Sequence, residues 1–428
     1  MSSTRPATSE PAPSDPAPAG RGSPLRIAIA IERFSQHNGG GAERSTAQIA
    51  QRLTRRGHAV TLLALSAPAT GEPVGGFRVE RCRRGDSVGA PRLLLGHRWV
   101  SSRMDSGEFD AVLSVTTSLP GHVVQPRAGT TAGFQQSRIA RRRSAMQRSI
   151  ARLDLAVSPK QRLLRWLEAR TLSDPRLRKV VAISELMARE LRDAAGVDDA
   201  KLVRIPNAGE TPRFSDAERA ELRFSVRLGL SLAPETPLLV FAAKDPRRKG
   251  AAQLLSAFSR LLERRDDARL AMVGETGYAL DRAATALGVR HAVLLLGPSR
   301  RCDELFAAAD AVVLPTWYDP ASKVVIESLM VGTPAITTRL NGSAQFVEPV
   351  DNPGEPRGRV IDAPDDLDAL TDAMAAMCDR NEQQRCAERC GDLYDELSMD
   401  RHVDRLEGVL EAVGERDGAK PASSQAPV

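Results

Sequence analysis

Two carboxylates eight residues apart, Asp319 and Glu327, stand in the stretch YDPASKVVIESLMVGTPAITTRLNG (Tyr318–Gly342). The first precedes an apolar segment with helical spacing, and the second lies about two turns into it. DAVVLP (Asp310–Pro315) reads as a buried strand before the loop, and Gly332 with Pro334 stops the helix ahead of another strand, AITT. Carboxylates so placed suit either of two tasks. One is structural, a helix cap plus a Glu with its own partner. The other is to meet two parts of one polar ligand. The amides of Ser322, Lys323 and Val324 at the helix start favour an anion, and Glu327 is placed to accept hydrogen bonds from vicinal hydroxyls such as those of a ribose.

Two further loops carry groups that would suit the same ligand. FAAKDPRRKGAAQLL sets Lys244, Arg247, Arg248 and Lys249 between a buried strand and a helix beginning near Gly250. Cations beside a helix amino terminus suit a diphosphate. Their place at the carboxyl end of a strand favours that role over an exposed basic loop. FSQHNGGGAERS puts Gly39, Gly40 and Gly41 directly before a helix, permitting positive φ and close approach of a ligand to the backbone. It is not G-x-G-x-x-G, and no acidic residue closes the next strand, which argues against a nicotinamide enzyme. A diphosphate joined to ribose on one side and to a sugar on the other would satisfy all three loops.

The elements that must position these loops alternate. LRIAIAI, a glycine-rich turn, the helix AERSTAQIAQRLTRRG and the strand HAVTLLAL form a βαβ unit, for which a parallel sheet and a right-handed crossover are expected. FRVERC, FDAVLSV, KVVAIS and KLVRIP extend that sheet. A second series, from PLLVFAA through ARLAMVG, AVLLLG and AVVLP to AITT with helices between, predicts another doubly wound α/β domain. We therefore expect a tail at 1–24, Rossmann-like domains at 25–205 and 206–398, a terminal helix at 399–414 packing back on the first domain, and a second tail at 415–428. The region from Asp365 to Leu410 reads as helical throughout.

Composition narrows the partners. Hydrophobic residues make up 42% of the 428, enough for two cores, while only 4% are aromatic and no nucleic-acid-binding module is present, which argues against nucleic acid. The net charge of +6 is concentrated in Arg138–Arg170, with ten Arg or Lys against Asp154 and Glu168, interleaved with Leu, Ile and Trp166. Such a stretch fits an anionic membrane surface or a merely solvated face equally well. Five scattered cysteines without a Cys-x-x-Cys pair, and only His402 near Cys386 and Cys390, give no reason to expect a metal. No leader or membrane-spanning run is evident, so the cytoplasm or the inner face of the cell membrane is expected.

The motifs together resemble the retaining nucleotide-sugar glycosyltransferases of the GT-B fold that carry an acidic-x7-Glu motif. The matching stretches are YDPASKVVIESLMVGTPAI with DELFAAADAVVLPTW ahead of it, GGGAERSTAQIAQRLTRRGHAV, VVAISELMARELRD, LVRIPNAGETPRF and DPRRKG. Within that group RRKG and YDP…VVIES look most similar to lipopolysaccharide core glucosyltransferases. The resemblance implies two facing Rossmann-like domains and transfer of a sugar, with retention, from a nucleotide-diphosphate sugar (a UDP-sugar by expectation) to a hydroxyl of a glycan or glycolipid. It implies no metal or other cofactor. Gly40 and Gly41 would flank the sugar and diphosphate, and Arg248 and Lys249 would neutralise the leaving diphosphate. Asp319, in place of the more usual Glu, would meet the donor sugar, and Glu327 the ribose. The family's amino-terminal His is absent: Arg127 stands at its place, with His122 five residues earlier, and these are the acceptor-side candidates. Two alternatives stay open, a nucleotide-sugar 2-epimerase and a non-catalytic glycan- or nucleotide-binding relative.

Overall fold

The computed structural model describes residues 23–35, 40–67, 75–82, 89–142, 144–299, 301–349 and 354–418. Most of both expected tails, and Gly39, lie outside these residues. The first sheet comprises β1 (Arg26–Arg33), β2 (Ala59–Ser66), β3 (Arg78–Arg81), β4 (Ala111–Ser114), β5 (Val123–Val124), β6 (Lys179–Ala182) and β7 (Leu202–Arg204). Its helices are α1 (Gly41–Arg55), α2 (Ala90–Asp105), α3 (Thr131–Ala140), α4 (Ala145–Val157), α5 (Pro159–Leu172) and α6 (Glu185–Asp193). A connecting helix, α7 (Asp216–Gly229), leads to β8 (Leu238–Ala243), α8 (Ala251–Arg264), β9 (Arg269–Gly274), α9 (Tyr278–Ala286), β10 (Val293–Gly297) and α10 (Cys302–Ala308). The chain continues through β11 (Ala311–Leu314), α11 (Lys323–Met330), β12 (Ala335–Thr338), α12 (Ala344–Val347), β13 (Gly358–Ile361), α13 (Leu367–Cys378), α14 (Arg380–Glu388) and α15 (Met399–Gly418).

Every strand pairing is parallel, in the orders β3-β2-β1-β4-β5-β6-β7 and β10-β9-β8-β11-β12-β13. Helices cover both faces of each sheet, so the central strand β1 is apolar at consecutive positions, Ile27 to Ile31, all buried. The edge strands β3 and β7 are only partly covered and carry Arg and Glu. In each sheet the order reverses once, between β1 and β4 and between β8 and β11. Loops leaving the carboxyl ends of strands at such reversals form the crevices where open α/β sheets take ligands.

The structure departs from expectation in several elements. β5, of two residues, is too short to leave a period, β13 opens on Gly358 at positive φ and carries Arg359 in place of a continuous apolar run, and α12 is a single turn. α2 buries Leu93, Gly96, His97, Val100 and Met104 on one face, and the Gly and His interrupt what would otherwise be a visible apolar stripe. The segment after Asp365 is not helical throughout, because a 3₁₀ turn at Gly391–Leu393 and turns up to Ser398 break it. The chain then returns to the first domain as α15, which continues to Gly418 rather than ending at 414.

α15 turns Met399, Val403, Leu406, Leu410 and Val413 onto the same core as Ile27, Ile49 and Leu53. Each such fully buried aliphatic side chain contributes about 1.5–3 kcal/mol relative to exposure. Its polar edge is tied to α1 by Arg52–Asp400 (2.8 Å) and Arg56–Glu407 (2.5 Å). His58 locks the same contact. Its Nδ1 accepts from the Leu25 amide (3.1 Å), which leaves the proton on Nε2 to be donated to Glu407 (2.8 Å).

Candidate functional site

The reversal between β8 and β11 brings together two loops 70 residues apart. Lys249, after β8, forms an ion pair with Asp319, after β11, and both are nearly buried. Gly250 makes this approach possible. Its φ is +78°, and a Cβ there would overlap the Pro315 carbonyl oxygen. The loops are further joined by the Trp317 amide donating to the Arg248 carbonyl (3.0 Å) and by Arg248 donating to the Tyr318 carbonyl (3.1 Å). Burial pulls the Lys249 ammonium below its ordinary pKa, and the Asp319 carboxylate partly restores it. Asp319 also accepts from the Ala321 amide (3.3 Å), so both of its oxygens are engaged within the protein.

The amino end of α11 lies beside this pair. Its cap residue, Ser322, makes no side-chain capping bond. The expected trio of free amides is reduced, because the Ser322 N–H is already donated to Asn341 Oδ1 (3.1 Å). The amides of Lys323 and Val324 belong to the first turn and have no intrahelical acceptor. Lys323 Nζ lies 3.6 Å from Glu327 Oε1 and donates to Gln48 Oε1 of α1 (3.4 Å). Burial lowers the Lys323 pKa and raises that of Glu327; each group partly offsets the shift of the other, and Arg44 of α1 adds to the stabilisation of the Glu327 carboxylate.

The amino end of α1 therefore faces α11 across the domain boundary. Gly40 has φ −71° and ψ 177°, ordinary extended backbone, so the positive φ expected of the glycine run is not used at this position. A Cβ at Gly40 or Gly41 would meet nothing within 4 Å. Neither packing nor strain demands glycine here, and the free space lies directly above an uncapped helix start.

Arg127 follows β5 and is 93% buried, without a carboxylate at ion-pair distance among the described residues. It donates to Gln125 Oε1 (2.9 Å) and Asn207 Oδ1 (2.7 Å), while its Nε has no partner. Burial brings its pKa down to about 10. His402 of α15 stands beside it. The Pro206 carbonyl (2.7 Å) accepts from His402 Nδ1, leaving Nε2 to accept from Gln125 (3.3 Å) and Arg127 (3.4 Å). Burial pulls the His402 pKa down to about 3, so the ring is a neutral acceptor of fixed tautomer. His122 does not join this group. It lies at the amino end of β5, its Nδ1 accepting from the Val112 amide near the amino end of β4 (3.2 Å), opposite to the carboxyl ends where the loops converge. It is a buried structural residue and not an acceptor-side one.

Tyr318, quoted in the motif but assigned no role there, reaches from the second domain into the first. Its hydroxyl donates to Glu190 Oε2 (2.7 Å), which also accepts from Thr130 Oγ1 (2.7 Å). Its ring meets Phe134 edge-on at 5.5 Å, and Gly129 and Gly133 leave room for it. Further bonds cross the boundary from Asn207 Nδ2 to the Ala321 carbonyl (2.7 Å) and from the Glu185 amide to Gln345 Oε1 (2.8 Å). No local pattern announces these partners, since each pair that crosses the boundary is separated by more than a hundred residues.

Comparison with known proteins accounts for the arrangement. Residues 39–211 match the family described as Glycosyltransferase Family 4, and residues 228–390 match Glycosyl transferases group 1. A glycosyltransferase of Methanocaldococcus jannaschii is 25% identical over 174 residues, 40% of this chain and 44% of that protein. The D-inositol 3-phosphate glycosyltransferase of Nocardia farcinica is 29% identical over 181 residues, 40% of this chain and 39% of that protein. The chain thus spans about two fifths of the length of these curated relatives. Among solved structures, WaaG, a glycosyltransferase involved in lipopolysaccharide biosynthesis, is similar with a TM-score of 0.71 at 19% identity, covering 90% of this chain and 99% of that one. Anabaena HepE in complex with UDP-glucose gives 0.63 at 17%, covering 91% and 100%. The two family matches fall one on each parallel sheet, and the chain belongs to the GT-B-fold glycosyltransferases, with a family 4 amino-terminal and a group 1 carboxy-terminal domain.

Proposed function

We propose that the protein transfers a sugar from a nucleotide-diphosphate sugar to a hydroxyl of a glycan or glycolipid, with retention at the anomeric carbon. The observation that carries this reading is the meeting of two uncapped helix starts, α1 at Gly40–Gly41 and α11 at Ser322, beside Arg248, Lys249 and Lys323. In this reading the diphosphate takes the amides of Lys323 and Val324 and the charge of Arg248 and Lys249. These groups stabilise it as it leaves and the anomeric carbon becomes oxocarbenium-like. Two or three cations offset its charge, so the reaction is proposed to need no metal ion. Glu327 accepts from the ribose hydroxyls. Asp319 holds Lys249 in place and meets the sugar only through the shared pair, while Arg127 lies on the sugar and acceptor side. Retention rests on the resemblance of the Tyr318–Ile336 motif, and the UDP-sugar expectation is supported by the UDP-glucose complex of a structural neighbour.

A thermal-shift panel of UDP, GDP, ADP and their sugar conjugates tests the donor half of the reading. One nucleotide is expected to stabilise the wild type by about 2.7 kcal/mol at a hundredfold excess over its Kd. Glu327→Ala should weaken that nucleotide at least tenfold. Binding requires the ionised carboxylate, and burial raises its pKa, so affinity should be present at neutral pH and fall on acidification from above the ordinary glutamate range. No shift with any nucleotide would sink the proposal.

The acceptor is proposed to be a glycolipid, as the lipopolysaccharide role of a structural neighbour suggests, presented at an anionic membrane surface by α4. This helix exposes Met146, Ile150, Leu153 and Val157 on one stripe, with Arg148 and Arg152 beside it and Trp166 exposed on α5. An amphipathic helix of that make lies in the headgroup region. No helix among the described residues is long and apolar enough to cross a membrane. Co-sedimentation with phosphatidylglycerol vesicles should be lost in Ile150→Glu/Leu153→Glu and absent with neutral vesicles. Equal binding to both vesicle types would remove this part of the reading.

A further inference from the structure

We infer that the donor sugar is itself an acid, a hexuronate whose carboxylate is taken by Arg127. The inference rests on the transfer proposed above and names the class of sugar transferred. It begins from an uncompensated charge. Arg127 is only 7% exposed, and every group it bonds is neutral. Gln125 Oε1, Asn207 Oδ1 and His402 Nε2 face it as acceptors, and no carboxylate offsets its burial. Two of these neighbours are fixed in turn. Asn207 Nδ2 donates to the Ala321 carbonyl (2.7 Å), and His402 Nδ1 donates to the Pro206 carbonyl (2.7 Å). The guanidinium is therefore held in place without being neutralised, and its Nε is left without an acceptor. A desolvated, unpaired charge of this kind is costly. A structural clamp gains nothing from it, whereas an anionic ligand removes the cost.

Position says which part of the donor carries that anion. The Arg127 amide donates to the Val115 carbonyl just past β4 (3.2 Å), so the residue reaches the domain boundary from the first domain. Asn207 ties it to Ala321, one residue before the Ser322 cap of α11. Its charge is also close enough to push the Lys323 ammonium further down in pKa. Lys323 has Glu327 at 3.6 Å and Lys249 has Asp319, but Arg127 has no such partner among the described residues. In the proposed reading the diphosphate is served by the amides of Lys323 and Val324 together with Arg248 and Lys249. The charge left at Arg127 then falls to the part of the donor on the first-domain side of α11, which is the sugar.

A neutral hexose would bring only hydroxyls and leave the guanidinium uncompensated. A carboxylate on the exocyclic carbon supplies the missing charge and accepts from two guanidinium nitrogens at once. It takes no part in the bond exchange. There the anomeric carbon–oxygen bond to the diphosphate breaks, a bond to the acceptor oxygen forms, and the acceptor proton leaves on the diphosphate.

The test is calorimetric titration of the full chain with UDP, UDP-glucose and UDP-glucuronate, and with GDP, GDP-mannose and GDP-mannuronate. In the series whose nucleotide binds, the uronate should bind the wild type about 10²-fold more tightly than the hexose. Arg127→Gln should abolish that preference by weakening the uronate, while the parent diphosphate binds as before. Arg127→Lys, which keeps the charge and loses the fork, replaces it should Arg127→Gln not fold, and should narrow the preference. Equal binding of hexose and uronate beside a bound parent diphosphate overturns the inference and leaves the transferase reading standing. Loss of the parent diphosphate in Arg127→Gln would make the residue a diphosphate ligand. An equal loss for every ligand with a lowered Tm would make it a structural clamp, and either result overturns the inference. Binding of none of the six compounds removes both the inference and the donor reading beneath it.

Discussion

Lys249→Ala is expected to reduce sugar transfer by about 10²–10³-fold, the effect of removing one preorganised charge from a transition-state site. It should also destabilise the second domain, because Asp319 would be left buried without its counter-charge. Removing one partner of a buried pair costs about 3–5 kcal/mol. These two losses have different origins and can be separated. Lys249→Ala/Asp319→Ala removes the stranded carboxylate and should recover most of the stability in a urea melt, yet recover none of the turnover. A double variant that regains turnover along with stability would mean that Lys249 acts only as a structural partner of Asp319, and the leaving-group role would fall.

Gly133→Ala is expected to lower kcat/KM by about 10–100-fold without lowering the melting temperature. Gly133 lies in the first turn of α3 and, unlike Gly129, is not at positive φ, so alanine suits its backbone. In a helix alanine is favoured over glycine by about 0.5–1 kcal/mol. The difficulty is across the boundary. A Cβ at Gly133 would lie 2.6 Å from Tyr318 Cε2, and the ring cannot give way because Glu190 and Phe134 pin it. Overpacking of this kind costs about 1–3 kcal/mol, and here it falls on the contact between domains rather than within either one. The backbone that carries Tyr318 also carries Asp319, so displacing the ring moves the Lys249–Asp319 pair away from α1. Misplacement of reacting groups by about 1 Å can cost 10²-fold. Scattering should show a larger radius of gyration for the variant. Unchanged turnover with the ring displaced would show that Tyr318 insertion is not part of the active arrangement.

The alternation of strands and helices, both parallel sheets and the strand-end positions of the three loops were legible in the chain. They follow from local rules: apolar runs of strand length, helical spacing, and Gly or Pro stops, each read within a dozen residues. Lys249 and Asp319 could be singled out for the same reason, as charges beside predicted helix starts, and Glu327 as a charge within an apolar helix. The elements that escaped were those whose local signal is short or broken, such as the two-residue β5 and α2 with Gly96 and His97 on its buried face.

Sequence spacing could not say which charges would pair. Lys249 meets Asp319 because the sheet order reverses between β8 and β11, and Lys323 meets Gln48 because the domains close on one another. The Ser322 amide proved to be spent on Asn341, and His122 proved to lie at the wrong end of its strand. His402 and Tyr318 acquired roles only through partners 275 and 128 residues away. Local pattern is set by hydrogen bonding and burial along a few turns of chain, so residues alone specify the elements and the loops at their ends. Pairing of buried charges depends on sheet order and domain contact, where desolvation makes each partner decisive, and that information exists only once the chain is folded.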